Sequence, residues 1–134
     1  MVDIMAKNFD LDKPAMMIYG YEATDAAIIA ATAIKLLTTE VQVVNATFSE
    51  SETIREIIEG TQLESYQDEL NKMVMFLGIT PKQIKKIIEN WPKDIEEPMF
   101  CGLTETNIDW TLDYLLESLA LEKNAMLSRE EQQG

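Results

Sequence analysis

Four short apolar segments, each followed by a helix start, constrain the fold of this chain more than any other feature. The segments are residues 16–21, 41–47, 73–77 and 99–103. Their apolar residues are consecutive and do not alternate with polar ones, which is typical of strands covered on both faces. Strands that alternate with helical patterns indicate βαβ units and a largely parallel sheet.

The strand spacing divides the chain into two similar halves. The first two strands are 43 − 16 = 27 residues apart and the last two are 99 − 73 = 26 residues apart. Ser49 with Glu52, and Thr80 with Gln83, have the spacing of a capping box at a helix start. We therefore predict an α/β fold with a four-stranded, mainly parallel sheet flanked by helices, in two βαβα halves. The repeat could reflect a duplication or the common pattern of α/β folds.

A ferredoxin-like α+β core, βαββαβ with an inserted helix, is the alternative because the element count permits it. Residues 61–77 are ambiguous, since their apolar positions also recur at helical spacing. They could form one helix or a linker followed by the third strand. We predict a single domain over residues 14–123, with a flexible arm at 1–13 and a flexible tail at 124–134.

The charge and the cysteine content restrict the partners and the location. The chain has 24 acidic and 11 basic residues, a net charge of −13. This charge repels phosphate backbones and anionic lipids, so neither nucleic acid nor membrane is an expected partner. Cys101 is the single cysteine, so no intrachain disulfide can form, and we expect a cytoplasmic location.

No residue set typical of catalysis stands out. The chain has no histidine, which removes the usual general base and the commonest metal ligand. Cys101 lies within a predicted buried strand, where a lone thiol ordinarily packs. We therefore predict no catalytic residues, no metal site and no cofactor, and an enzyme is the third functional hypothesis, after an interaction module and a ligand-binding domain.

Polar side chains at the strand ends form the candidate ligand site. If the strands are parallel, their carboxyl ends share one edge of the sheet. Tyr21, Thr47, Thr104 and Asn107 would line that edge. A small ligand or a divalent cation is the class of molecule that such an edge could bind.

The first helix suggests a protein interface. On a helical wheel its alanines form a face suited to packing on the sheet, whereas Ile28, Ile29 and Leu36 fall on or beside the polar side. Apolar residues in such positions indicate either a partner surface or cover by neighbouring elements of the same chain. The leading functional hypothesis is a non-catalytic interaction or regulatory module, as a homo-oligomer or bound to another protein. A small-ligand or divalent-cation-binding domain is the alternative.

The second half carries a recognisable motif. KMVMFLGITPKQIKKIIENW is followed by PMFCGLTETNIDWTLDYLLE, which contains Leu103-Thr104-x-x-Asn107-x-x-Trp110. This pattern, over about residues 72–127, resembles the prokaryotic domain of unknown function numbered 3783, and residues 16–47 look like the N-terminal βαβ of the same proteins. That family usually has proline where Glu105 stands. The resemblance implies the α/β fold and supplies no reaction.

Overall fold

The strands form one mixed sheet, in which two of the three strand pairs are parallel. A computed structural model of the chain describes residues 13–61 and 63–133, with side chains as far as residue 125. The strands are β1 (Ala15–Tyr19), β2 (Gln42–Asn45), β3 (Met73–Leu77) and β4 (Met99–Gly102). Their order is β2-β1-β3-β4. β1 pairs in parallel with β2, and β3 with β4, whereas the central pair β1–β3 is antiparallel.

A helix follows each strand and covers the sheet on both faces. The helices are α1 (Ala23–Leu37), α2 (Ile54–Glu59), α3 (Pro81–Glu89) and α4 (Leu112–Gln133), and a short 3-10 helix (Asn107–Asp109) precedes α4. The predicted α/β architecture in two βαβα halves is confirmed. The ferredoxin-like alternative is wrong, because β2 and β3 form no hairpin and β1 pairs directly with β2.

Each face of the sheet has its own core, because consecutive strand residues point to opposite faces. Odd-numbered residues of β1 and β3 pack against α2 and α4, with Met17, Met75, Ile58 and Leu112 buried there. Even-numbered residues of the same strands pack against α1 and α3. Both central strands are fully buried along their length, which explains their continuous apolar sequence.

An approximate two-fold axis through the centre of the sheet relates the two halves. Met17 lies opposite Met75 in the central antiparallel pair, and these residues are 75 − 17 = 58 positions apart. The same separation, 78 − 20 = 58, relates Gly20 and Gly78, which follow β1 and β3 with φ of 92° and 64°. The repeated spacing in the sequence is therefore a structural repeat.

A short backbone bridge, here called the inter-half bridge, joins the starts of α2 and α4. Thr53 and Thr111, again 111 − 53 = 58 positions apart, pair there in an antiparallel bridge. Two reciprocal backbone hydrogen bonds of 2.9 Å accompany it, from the N–H of Ile54 to the oxygen of Trp110 and from the N–H of Leu112 to the oxygen of Glu52. Each half thus accepts a hydrogen bond from the helix start of the other.

One of the two predicted capping boxes lies elsewhere in the structure, and the ambiguous segment follows one of its two predicted alternatives. The capping box of Thr80 with Gln83 is confirmed. The predicted box of Ser49 with Glu52 is wrong, because Thr53 and Glu56 form it one turn later. Within residues 61–72, those that the structure describes form neither helix nor strand. The segment 61–77 is therefore a linker followed by β3.

The chain ends can be compared in part with the predicted boundaries. The predicted arm lies outside the described residues except for Lys13. Residues 124–133, where the sequence analysis predicts a tail, continue α4. The sequence there is rich in Ala, Leu, Glu, Arg and Gln, all of which have high helix propensity. Within the described residues, no helix combines the length and the hydropathy needed to cross a membrane.

Candidate functional site

The four residues predicted to line one sheet edge lie at opposite ends of the sheet. Tyr21 and Thr47 follow β1 and β2, which run in the same direction. Thr104 and Asn107 follow β4, which is parallel to β3 and therefore runs opposite to β1. The prediction of a shared edge is wrong, because the antiparallel central pair sends the carboxyl ends of the two halves in opposite directions.

Tyr21 and Thr47 are both part of the protein interior. The hydroxyl of Tyr21, a fully buried residue, donates a 2.6 Å hydrogen bond to the carbonyl oxygen of Glu96. Burial raises the pKa of Tyr21 above its usual value, and the nearby Glu96 carboxylate adds to the effect. Thr47 is 1% exposed, and its Oγ1 has no hydrogen-bond partner within the described part of the chain. Neither side chain is open to a ligand from solvent.

Thr104 and Asn107 hold the turn after β4 through reciprocal hydrogen bonds. The backbone N–H of Thr104 donates to Oδ1 of Asn107, and the backbone N–H of Asn107 donates to Oγ1 of Thr104, both at 2.9 Å. The Nδ2 group of Asn107 donates to the carbonyl oxygen of Gly102 at 3.0 Å. Asn107 is only 7% exposed, so these polar groups are occupied by the protein itself.

The remaining motif residue, Trp110, belongs to the inter-half bridge. Its carbonyl oxygen accepts the N–H of Ile54, and its N–H donates to Asn107 at 3.1 Å. Its ring packs edge-on against Tyr114, with 4.8 Å between the ring centroids. The motif Thr104-x-x-Asn107-x-x-Trp110 therefore positions the start of α4 against the first half.

The predicted interface residues of α1 separate into exposed and buried positions. Ile28 is 43% exposed and Leu36 is half-buried, whereas Ile29 is 1% exposed. The prediction for Ile29 as an outward residue is wrong, because the buried side of α1 centres on Ala26, Ile29 and Ala33. Ile34 is also partly open to solvent, at 41% exposed.

A stripe of uncharged residues therefore runs along the solvent side of α1 as far as Lys35 in the last turn. We call it the outer face of α1, and its exposed members are Thr24, Ala27, Ile28, Ala31 and Ile34. A helical wheel centred on the residues that are actually buried would have revealed it. The alanine pattern misled the sequence analysis, because α1 is apolar on nearly all sides.

A cleft that the sequence analysis missed lies beside the carboxyl end of β1. It has a volume of about 550 Å³, and we call it the acidic cleft; it is lined by Tyr19, Glu69, Leu70, Asn71, Asp113, Leu116, Glu117 and Ala120. The hydroxyl of Tyr19 donates a 2.6 Å hydrogen bond to the carboxylate of Glu50. Burial and this contact raise the pKa of Tyr19 above its usual value, so the phenol stays protonated at neutral pH.

Potential catalytic and metal-binding groups are few in the part of the chain that the structure describes. No group of three or more Cys, Asp or Glu side chains there is arranged to hold a metal ion. Burial raises the pKa of the Cys101 thiol to about 12, and the charge of Glu122 adds to the effect. The thiol is therefore protonated at neutral pH and is a poor nucleophile.

These features define an α/β domain in which two βαβα halves share one mixed sheet and a motif-bearing turn joins them. The family described as Domain of unknown function (DUF3783) matches residues 72–126. The resemblance predicted from the sequence is thus confirmed over the second half, which contains the Thr104-to-Trp110 motif. The comparison with curated proteins and the comparison with solved structures each give no match.

Proposed function

We propose that this protein is a small, non-catalytic interaction module that docks a protein partner through the outer face of α1. The observation that carries the proposal is the scarcity of charge on α1: over its 15 residues, the helix has only Asp25 and Lys35 as charged residues, near its two ends. A helix that is apolar on nearly all sides is ordinarily buried on all sides. A cytoplasmic location and a regulatory role are part of this proposal.

The size of the apolar stripe limits how much binding free energy the stripe can contribute. Complete burial of the exposed parts of Ile28 and Ile34 would contribute about 3–4 kcal/mol, at roughly 25 cal/mol per Å². Association costs at least about 4 kcal/mol in lost translational and rotational freedom. The outer face of α1 therefore acts as an anchor, and the partner must also contact the surface around it.

Substitution of Ile28 tests the proposal. We expect Ile28→Glu to abolish recovery of the partner when the tagged protein is purified from a lysate, because a carboxylate would be buried in the apolar contact. Ile28 is 43% exposed, so only part of its packing is lost, and the free energy of unfolding should fall by no more than about 1 kcal/mol. Quantitative mass spectrometry of the recovered proteins, with chemical denaturation of each variant, measures both effects.

Leu121→Glu is the matched control, because Leu121 is 63% exposed on α4, away from α1. This variant should recover the same proteins as the wild type. A partner that is retained by Ile28→Glu, or lost equally with both variants, would contradict the proposal.

A second candidate function is the binding of a small organic cation in the acidic cleft. The specific observation is the combination of a cavity of about 550 Å³ with the carboxylates of Glu69, Asp113 and Glu117 around it. Leu116 and Ala120 add an apolar surface against which an aliphatic chain could pack. The volume falls within the range of about 300–1,000 Å³ that is typical of small-molecule sites.

A thermal-shift experiment with putrescine, spermidine, Mg²⁺ and Ca²⁺ tests this candidate. We expect an amine to raise the melting temperature, since a ligand at 100 times its dissociation constant adds about 2.7 kcal/mol of stability. The double variant Asp113→Asn, Glu117→Gln should lose the shift. Glu89→Gln with Glu105→Gln, the same charge change outside the cleft, should keep it. A shift with the divalent ions alone, or none at all, would count against an organic cation.

A further inference from the structure

The pattern of exposed residues on α1 points to a second helix as the group that covers it. Thr24, Ile28, Ala31 and Lys35 are all exposed, and their spacing of four, three and four residues is the spacing of a helix–helix seam. Ala27 flanks this seam and, with Ala31, permits a close approach of the two backbones. The outer face of α1 can therefore accept a second α-helix packed along it.

The charges at the two ends of α1 indicate which helix covers the outer face of α1. Asp25 is in the first turn and Lys35 in the last, and neither forms an ion pair within the described part of the chain. They are equidistant from residue 30. We infer that the outer face of α1 binds the same face of a second copy of this chain, with the two helices antiparallel about a two-fold axis near residue 30. In this arrangement each Asp25 lies level with Lys35 of the second copy. A parallel arrangement would bring like charges together.

The charge of the two helices on this side of the sheet, α1 and α3, also favours a second copy of the chain as the partner. α1 and α3 together carry four lysines and two acidic residues, 4 − 2 = +2, whereas the whole chain has a charge of −13. Two copies that meet through these two helices avoid most of the acidic charge of the chain. An acidic helix from another protein would be attracted to α3, yet it would face the like charge of Asp25.

The expected dimer is weak and depends on salt. A helix of 15 residues is about 22 Å long, and one helix pair buries less than the roughly 800 Å² per partner of a standard interface. Each copy has a net charge of −13, so salt should strengthen the association by screening the long-range repulsion. This inference rests on the proposed function, since both use the outer face of α1.

Complementary charge variants test the inference by sedimentation equilibrium from about 10 µM to 1 mM. The wild type should show a monomer–dimer equilibrium. Asp25→Lys and Lys35→Glu, each alone, should weaken the dimer by about tenfold or more, because like charges then meet at both ends of the seam. An equimolar mixture should restore it, since each altered residue faces its opposite. Equal dimerisation of each single variant and the wild type, or a mixture no stronger than either variant alone, would overturn the inference.

Cross-linking provides a second measurement that does not need the charge variants to fold. In a Cys101→Ala background, Ala31→Cys lies near the proposed axis, with the two Cα atoms about 10 Å apart. A short bis-maleimide should join these copies. Ala23→Cys is the control, because its two copies would lie about 20 Å apart along the helices. Preferential cross-linking at position 23 would contradict the antiparallel arrangement.

Failure of this inference can be separated from failure of the proposed function. In one outcome, the wild type stays monomeric at 1 mM and still recovers a partner that Ile28→Glu loses. That result would contradict the binding of a second copy and leave the proposed interaction module standing. A monomeric wild type with no partner dependent on Ile28 would overturn both.

Discussion

Replacement of Gly20 by alanine is expected to lower the free energy of unfolding by about 2–4 kcal/mol. Gly20 has φ of 92°, a backbone conformation that strains residues with a side chain. A Cβ atom would lie 2.6 Å from the carbonyl oxygen of Asn71 and 3.1 Å from Cα of Lys72. Both are backbone atoms, so relief requires the linker to move away from the end of β1. Denaturant unfolding measures the loss, and the melting temperature should fall by about 10 °C.

Gly102→Ala is the matched control for this substitution. Apart from its own residue and its two chain neighbours, a Cβ atom at Gly102 would have no heavy atom within 4 Å, so the free energy of unfolding should change by no more than about 0.5 kcal/mol. An equal loss of stability at both glycines would show that the close contact of Gly20 with the linker is not the cause of the loss. A neutral Gly20→Ala would mean that the linker yields without cost.

Replacement of Asn107 by alanine is expected to cost about 2–3 kcal/mol of stability. The side chain makes two hydrogen bonds that alanine cannot replace, to the carbonyl oxygen of Gly102 and from the N–H of Thr104. Asn107 is largely buried, and its replacement by alanine breaks both bonds at once. The loss should appear as a lower denaturation midpoint with an unchanged slope.

Asn90→Ala is the comparison for Asn107→Ala. Asn90 is exposed and its Nδ2 group donates one 2.8 Å hydrogen bond, to the carbonyl oxygen of Lys86. Water can replace that bond, so a loss of no more than about 1 kcal/mol is expected. If Asn107→Ala kept full stability and abolished the binding of a partner or an amine, Asn107 would be a binding residue and its structural role would be refuted.

The strands were predictable from sequence because they are buried on both faces. Met73–Leu77, for example, forms β3 over the same residues that the apolar run predicted. Strand direction was not predictable in the same way. A helix between two strands ordinarily indicates a parallel crossover, and α2 lies between β2 and β3. The irregular linker after α2 instead brings β3 to the free side of β1 in the opposite direction.

The candidate site was harder to predict for two physical reasons. The wheel for α1 is ambiguous because apolar residues occur on nearly all sides, and burial of Ile29 rather than Ile34 depends on how the helix is rotated on the sheet. The acidic cleft combines residues of β1, the linker and α4, such as Tyr19, Glu69 and Asp113. No local pattern connects segments so far apart in sequence. By contrast, the motif around Asn107 is local, and the sequence located it correctly.

The inter-half bridge has a consequence for synthesis of the chain on the ribosome. Until residue 110 has been made, the N–H of Ile54 lacks its acceptor on Trp110, and until residue 77 has been made, β1 lacks its partner β3 along one edge. An open strand edge is a template for pairing with another chain. The nascent first half is therefore vulnerable until β3 follows it, and a translational pause between residue 61 and the completion of β3 would favour aggregation over folding.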